Sequence, residues 1–351
     1  NQYFSSVRRE VCVLRLLSHP GVARLVSSFR WRGGAYLVLE YCPRGDLHSA
    51  IVNQGSLDEN CTRFVLAQVC SALSAVHDSG FVYGDLKPEN VVITKTGHVK
   101  ITDFGACRPA NSEGRKSLEE SREAIKNLRD GDWRSAAGLD SSDEASCVIE
   151  TEDANETQHI EGTVTYMAPE VLRKMSMPSF LSDAWAVGCL LYHCLSGRPP
   201  MVVENEDDML SKAVRFSEED LKLKLPVECS PLASTFMNDL MNKDVENRMS
   251  IEKAIQHQFF ASAGIDPHAC VRMKPVELRE GAVSSSNKNP AWSRRQNSMI
   301  WAPMPQVYKM EEKRPNSFGI IEETEFEANA KWVNSLRNID EGFPPPKKIF
   351  K

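Results

Sequence analysis

Tyr83-Gly84-Asp85-Leu86-Lys87-Pro88-Glu89-Asn90, followed by Asp103-Phe104-Gly105, decides the reading of this 351-residue chain. Between the two lie Val91-Val92-Ile93-Thr94 and His98-Val99-Lys100-Ile101-Thr102, short runs of β formers joined at Lys95-Thr96-Gly97. Such runs around a glycine-containing turn predict a hairpin. A loop, a hairpin and a second loop bring their polar ends to one side, so Asp85, Lys87, Asn90 and Asp103 are expected together. These are the groups that phosphoryl transfer requires. A carboxylate orients a hydroxyl and takes its proton, oxygen ligands hold Mg²⁺, and a cation stands by the transferred group. Asp, Asn, Pro and Gly are also ordinary turn residues. A turn does not, however, require a lysine two residues after Asp85, nor the later run Gly162-Thr163-Val164-Thr165-Tyr166-Met167-Ala168-Pro169-Glu170.

Length and composition fit one large domain or two lobes with tails, and 41% hydrophobic residues suffice for a sizeable core. A net charge of −6 argues against a broad nucleic-acid-binding surface. The longest apolar run, Ala184 to Leu195, is interrupted by Gly188 and His193, so no transmembrane segment is expected. Ten cysteines are scattered without a Cys-x-x-Cys, which fits free thiols in a reducing compartment, the cytoplasm.

The central stretch resembles the catalytic loop of eukaryotic protein kinases, His/Tyr-Arg-Asp-x-Lys-Pro-x-Asn with Asp-Phe-Gly after a hairpin. The resemblance runs from about residue 5 to 260. It implies an α+β, two-lobe protein-kinase-like fold, with residues 1–41 a truncated N-lobe and 42–260 a mainly helical C-lobe. Residues 261–351 are read as a partly disordered tail. The implied activity is transfer of the ATP γ-phosphoryl group to protein Ser/Thr hydroxyls. Lys87 points to serine/threonine specificity, and the sequence looks most like the AGC group, with the phosphoinositide-dependent kinase branch as a candidate. By the same resemblance Asp85 and Lys87 are catalytic, and Asn90 and Asp103 bind Mg²⁺. Leu39, Glu40, Cys42, Asp46, Glu89 and Val92 complete the nucleotide site, with the backbone of Glu40 and Cys42 on the adenine. Thr163 hydrogen-bonds near Asp85 and Lys87, Asp183 accepts backbone N–H groups of the catalytic loop, and Glu170 pairs with Arg248. Phe104, Tyr83, Leu14 and Leu25 form a spine coupling the lobes. Protein substrates with basic residues before the target are expected, drawn by Asp46 and Glu89.

The rest of the chain is read from its patterns. Val7, Val11, Leu14 and Leu17 have helical spacing over residues 5–18, ended by Ser18-His19-Pro20-Gly21. Glu10 on this helix is either a solvated glutamate or, by the resemblance, the partner of a strand lysine. Val22–Phe29 and Ala35–Tyr41 read as a hairpin. Asp46 suits an N-cap as well as a ribose or arginine acceptor. Ser56-Leu57-Asp58-Glu59 is a capping-box pattern before an apolar helix, on which His77 reads as a packing or surface residue. Leu181–Tyr192 reads as a buried helix stopped at Gly197. Further helices are expected at 206–216, 230–241 and 250–256.

Three departures from the family pattern stand out. Gly84 replaces the arginine that normally pairs with an activation-loop phosphate, and the matching loop position is His159, with Thr157 nearby. Activation without phosphorylation there is therefore expected. Residues 111–156 are rich in Ser, Glu, Asp and Asn and read as a largely disordered insertion, within which charges and helix formers favour a helix around Ser117 to Leu128. The chain also opens inside a helix, with neither a glycine-rich loop nor a strand lysine before Glu10, so an N-terminal truncation is expected. Gly84 and the missing front end support the rival reading, a pseudokinase-type binding or scaffold module.

Overall fold

A computed structural model describes residues 2–31, 34–131, 163–173, 176–200, 225–226, 228–273 and 275. The chain forms two compact units, residues 1–128 with 145–283, and residues 129–144 with 284–351. The described residues belong to the first unit, apart from the three that end one helix of the insertion. The expected helix at 206–216, the loop positions Thr157 and His159, and the tail from residue 276 lie outside the described residues.

The first unit opens with α1, Gln2–Leu16, which buries Val7, Val11, Cys12, Val13 and Leu14. An antiparallel pair follows, β1 (Leu25–Trp31) with β2 (Gly34–Leu39), carrying an irregularity between Leu25 and Ser27. The chain then enters a largely helical part. Helix α2, Leu47–Gln54, starts at Asp46, whose Oδ1 accepts the Ser49 N–H at 2.7 Å. Helix α3, Glu59–Asp78, starts at Asp58, whose carboxylate accepts the Cys61 N–H at 2.8 Å. Side-chain oxygens at these positions satisfy N–H groups that the first turn cannot pair itself.

Helix α3 is buried on most of its circumference. Even its glutamine is inside. Gln68 donates to Phe64 O at 3.0 Å and accepts the Val99 N–H at 3.1 Å, so it pins the following hairpin to the helix. Two short ladders come next. Strand β3 (Phe81–Val82) pairs with β6 (Arg108–Pro109), and β4 (Val91–Ile93) pairs with β5 (Val99–Ile101), all antiparallel. The hairpin expected between the two central motifs is thus β4–β5, and both motifs leave it at the same end.

The expectation of disorder over 111–156 does not hold for the first part of the insertion. Ser112–Gly131 is a single helix, α4, longer at both ends than the helix expected around Ser117 to Leu128. Charge and helix formers favour the conformation, but an isolated helix of this size is marginal in water. The additional stabilisation is tertiary: Leu118 and Ser121 are buried, and Ile125 packs on the core.

Beyond the insertion, a short helix α5 (Pro169–Leu172) leads to α6 (Phe180–Ser196). Helix α6 begins with a Ser179/Ser182 capping box and ends at Gly197 in the left-handed conformation. It is buried from Ser182 to Leu195 and packs on α3 and on α7 (Pro231–Leu240). Helices α8 (Ile251–Ile255) and α9 (Gln258–Ala261) close the core, with Phe236, Phe259 and Phe260 in mutual contact. The observed limits of α1, α6, α7 and α8 lie within a few residues of those expected from the sequence.

Candidate functional site

The loop Tyr83–Asn90 is held from below by one carboxylate. Asp183, near the start of α6, is 1% exposed. Its Oδ2 accepts the Tyr83 N–H at 2.8 Å and its Oδ1 the Gly84 N–H at 2.9 Å. His77 Nε2 lies 2.8 Å from Oδ2. His77 is therefore a partner of the buried carboxylate, beyond the packing or surface role expected of it; the lone histidine on a buried helix face was its sequence signal.

Gly84 has φ +83°, and a Cβ there would lie 3.0 Å from the Ala106 carbonyl oxygen. Glycine meets both conditions without strain. Tyr83 turns inward, and its ring meets that of Phe104 edge-on at 5.2 Å. Its hydroxyl donates to the Thr102 carbonyl. Burial, with Asp103, Asp85 and Asp183 nearby, pushes this phenol well above its usual range.

On this support the polar residues converge. Asp85 Oδ1 accepts the Thr163 N–H at 2.8 Å and its hydroxyl at 2.9 Å. Asp85 Oδ2 accepts Lys87 Nζ at 2.6 Å and Asn90 Nδ2 at 3.2 Å. Lys87 also donates to Thr163 Oγ1 at 2.8 Å, and Asn90 Nδ2 to the Asp85 carbonyl at 2.9 Å. Asp85, Lys87, Asn90 and Thr163 thus form one network, and Thr163 brings the segment beyond the insertion against the loop. A cleft beside it is lined by Asp85, Leu86, Thr163, Met167, Val171 and Pro178, among others.

Asp103 follows the hairpin at φ +60°, a left-handed conformation uncommon for a residue with a side chain. The next residue ties this turn to α1, because Glu10 Oε1 accepts the Phe104 N–H at 3.3 Å. Burial and the Asp103 charge push the Glu10 carboxyl up to about 7, while the Phe104 N–H pulls it back. Glu10 is half-buried and hydrogen-bonded to the Asp-Phe-Gly turn, so the reading of it as a solvated glutamate falls.

The residues expected around a nucleotide are placed less uniformly. Leu39 ends β2 and is half-buried, Val92 is buried on β4, and Cys42 is buried. Burial pushes the Cys42 thiol up. The Glu40 N–H already donates to the Arg24 carbonyl at 2.9 Å, which leaves its own carbonyl as the backbone group to face a base. The Glu40 carboxylate pairs with Lys100. Asp46 caps α2 and bridges through its backbone to Val92. The Glu89 carboxylate turns toward His48, whose Nδ1 stands 3.6 Å from Oε1.

Sequence reasoning missed the His48–Glu89 contact and a second one beside it. His193 on α6 is buried and its Nδ1 lies 2.7 Å from the Tyr166 hydroxyl. Burial and the neighbouring His48 lower the His193 imidazole to about 4. Only the interruption of an apolar run by a histidine hinted at it. Further from the chemistry, Arg248 binds Glu170 through two hydrogen bonds, 2.6 and 2.8 Å, as the resemblance implied. It also donates to the carbonyls of Asn242 and Leu181 and lies over the Trp185 ring.

Among the described residues no cluster of three His, Cys, Asp or Glu side chains is placed to hold a metal. The donor set nevertheless suits Mg²⁺, which takes few protein ligands and prefers oxygen. With Asn90 Nδ2 committed to Asp85, the amide oxygen is the atom left to a cation, and Asp103 supplies a carboxylate.

A family model described as the protein kinase domain matches residues 1–124 and 141–260. The chain is 30% identical over 275 residues to the serine/threonine-protein kinase Warts of Drosophila melanogaster, covering 74% of this chain and 24% of that protein. It is 31% identical over 242 residues to the 3-phosphoinositide-dependent protein kinase 1 of Arabidopsis thaliana, covering 69% of this chain and 42% of that protein. Serine/threonine-protein kinase LATS1 of Homo sapiens is 29% identical over 272 residues, 72% of this chain and 23% of that protein. The chain thus spans less than half the length of each of these AGC-type relatives. The match leaves out the middle of the insertion and rejoins before Thr163, so it covers every residue of the Asp85 network. The chain belongs to the protein kinase domain family.

Proposed function

We propose that this protein transfers the ATP γ-phosphoryl group to serine or threonine hydroxyls of protein substrates in the cytoplasm. The observation that carries the reading is the network of Asp85, Lys87, Asn90 and Thr163. When bound, ATP supplies the phosphoryl group and Mg²⁺ neutralises its charge. Asp85 orients the substrate hydroxyl and accepts its proton. Four hydrogen bonds, two on each oxygen, fix the rotamer of this carboxylate and fill its acceptor sites, so the substrate hydroxyl takes the place of one of these donors. Lys87 places a cation between Asp85 and the transferred group. Asn90, through Oδ1, and Asp103 are the residues that would hold Mg²⁺. Leu39, Val92 and the backbone of Glu40 and Cys42 hold the adenine, with Asp46 toward the ribose or a basic substrate residue. Glu89, beside His48, lends negative charge to the peptide side of the site. The nine described cysteines are free thiols, in keeping with a reducing compartment.

The test is phosphate transfer to a mixed peptide library by the full-length protein and its Asp85→Asn variant. Loss of a positioned general base lowers the rate by roughly 10²–10⁴-fold. Equal signal from the two would defeat the enzymatic reading in favour of a binding module with a kinase fold.

A further inference from the structure

We propose that α4 is a positioning element for the reaction, with Leu118 and Ser121 holding α1 where Glu10 reaches the Asp-Phe-Gly turn. The inference rests on the kinase reading. Its observations are geometric, and they concern the start of an insertion whose middle, residues 125–140, the family match leaves out.

The chain leaves Phe104 through β6 and returns onto α1. At its start α4 is anchored tightly. The Ala110 N–H donates to the Gly80 carbonyl at 2.8 Å, and Asn111 accepts the Gly114 N–H at 2.8 Å. A Cβ on Gly114 would lie 2.2 Å from the Gly80 oxygen, so the approach admits only glycine. Along the helix, Gly114, Leu118 and Ser121 are buried and Ile125 is half-buried. Spacings of four, three and four residues make one stripe on one face. Leu118 is 2% exposed, and the Ser121 hydroxyl donates to the Cys12 carbonyl at 3.3 Å.

Cys12 is two residues from Glu10. Helix α1 is therefore gripped at two neighbouring points by one continuous segment: Phe104 on Glu10, and Ser121 on Cys12. The outer side of α4 is polar, with Glu119 and Arg122 paired on it. In such an arrangement α1 cannot shift without breaking the Ser121 hydrogen bond to Cys12 and disturbing the core that Leu118 shares with Cys12, Val13 and Leu14. Gly84 presents no cation to an activation-loop phosphate, so a packed helix supplies the restraint that charge would otherwise give. Leu118 and Ser121 act through α1; they are positioning residues.

The experiment uses the full-length protein with Leu118→Ala and, independently, Gly114→Ala, each against Leu118→Met as the conservative control. Hydrogen exchange is read at the α1 amides 7–14, with α3 as an internal reference, alongside steady-state phosphorylation. In both disruptive variants α1 should exchange about ten-fold faster while α3 is unchanged. The kcat should fall about ten-fold with peptide KM held, and Leu118→Met should behave as wild type. Unchanged α1 exchange would overturn the inference. So would equal acceleration of α3, which would make the contact part of general stability, or a kcat at or above wild type once α1 is loosened. If the wild-type protein itself transfers no phosphate, the kinase reading falls and with it the positioning role, whereas active wild type with unchanged variants defeats the positioning role alone.

Discussion

Asp183 accepts the backbone N–H of Tyr83 at 2.8 Å, across a hundred residues of chain. The Gly84 N–H and His77 complete its shell, so one buried carboxylate fixes the start of the catalytic loop. Asp183→Ala leaves two buried N–H groups and an imidazole without an acceptor. Each such group costs about 1–3 kcal/mol, so a destabilisation of at least ~3 kcal/mol is expected by chemical denaturation. Asp183→Asn keeps one acceptor oxygen and should lose less. An unchanged midpoint for Asp183→Ala would show that the loop does not depend on it.

Arg248 and Glu170 should behave as a unit. The guanidinium is fully buried and the carboxylate nearly so. Removing either partner strands the other, and Arg248→Met or Glu170→Gln should each cost roughly 3–5 kcal/mol. The double variant should cost less than the sum of the two, because the uncompensated charge disappears with its partner. Additive losses would mean that the pair is not coupled.

Thr163 joins the two halves of the site through its hydroxyl. Thr163→Val keeps the shape and the N–H to Asp85 but removes the side-chain contacts to Asp85 and Lys87. Steady-state assays should show kcat lowered about ten-fold, with Thr163→Ser restoring it. A valine variant with the kcat of wild type would show that the hydroxyl is not needed.

Restoring a side chain at residue 84 should be unfavourable. Gly84→Ala puts a Cβ at φ +83° and 3.0 Å from the Ala106 carbonyl. Strain of this kind costs about 1–3 kcal/mol, measurable as a lowered Tm. An alanine variant as stable as wild type would show that the loop yields at no cost.

Two groups, the half-buried Glu10 and the buried His193, give opposite pH dependence. Glu10 is raised from 4.5 to about 7 by burial and by Asp103, so the unfolded chain loses this proton first. Its contribution to stability is present below pH 4.5 and is lost as pH rises toward 7. His193 is lowered from 6.5 to about 4 by burial and by His48, so its contribution is present above 6.5 and is lost as pH falls toward 4. Between 4.5 and 6.5 the two slopes oppose one another. Glu10→Gln should unmask stability that rises with pH there, and His193→Asn stability that falls. Each effect is on the order of 2 kcal/mol over the window. Identical pH profiles for Glu10→Gln and wild type would refute this account.

The fold class and the family of the chain were legible in the sequence, and so was the grouping of polar residues in the loop. Asp85, Lys87 and Asn90 lie within six residues and Asp103 follows one hairpin later, so local structure alone brings them close. Helix periodicity and caps placed α1, α3, α6 and α7 for the same reason: these signals act over a few residues. What the tertiary structure decided depends on groups far apart in the chain. His77 meets Asp183 and Tyr166 meets His193 because α3, α6 and the segment after Thr163 pack together. Glu10 is half-buried against the Asp-Phe-Gly turn because Phe104 returns to α1. The start of the insertion is a helix because Leu118 finds a core to enter. Composition describes how a segment treats water, but the burial that orders it is supplied by another part of the chain.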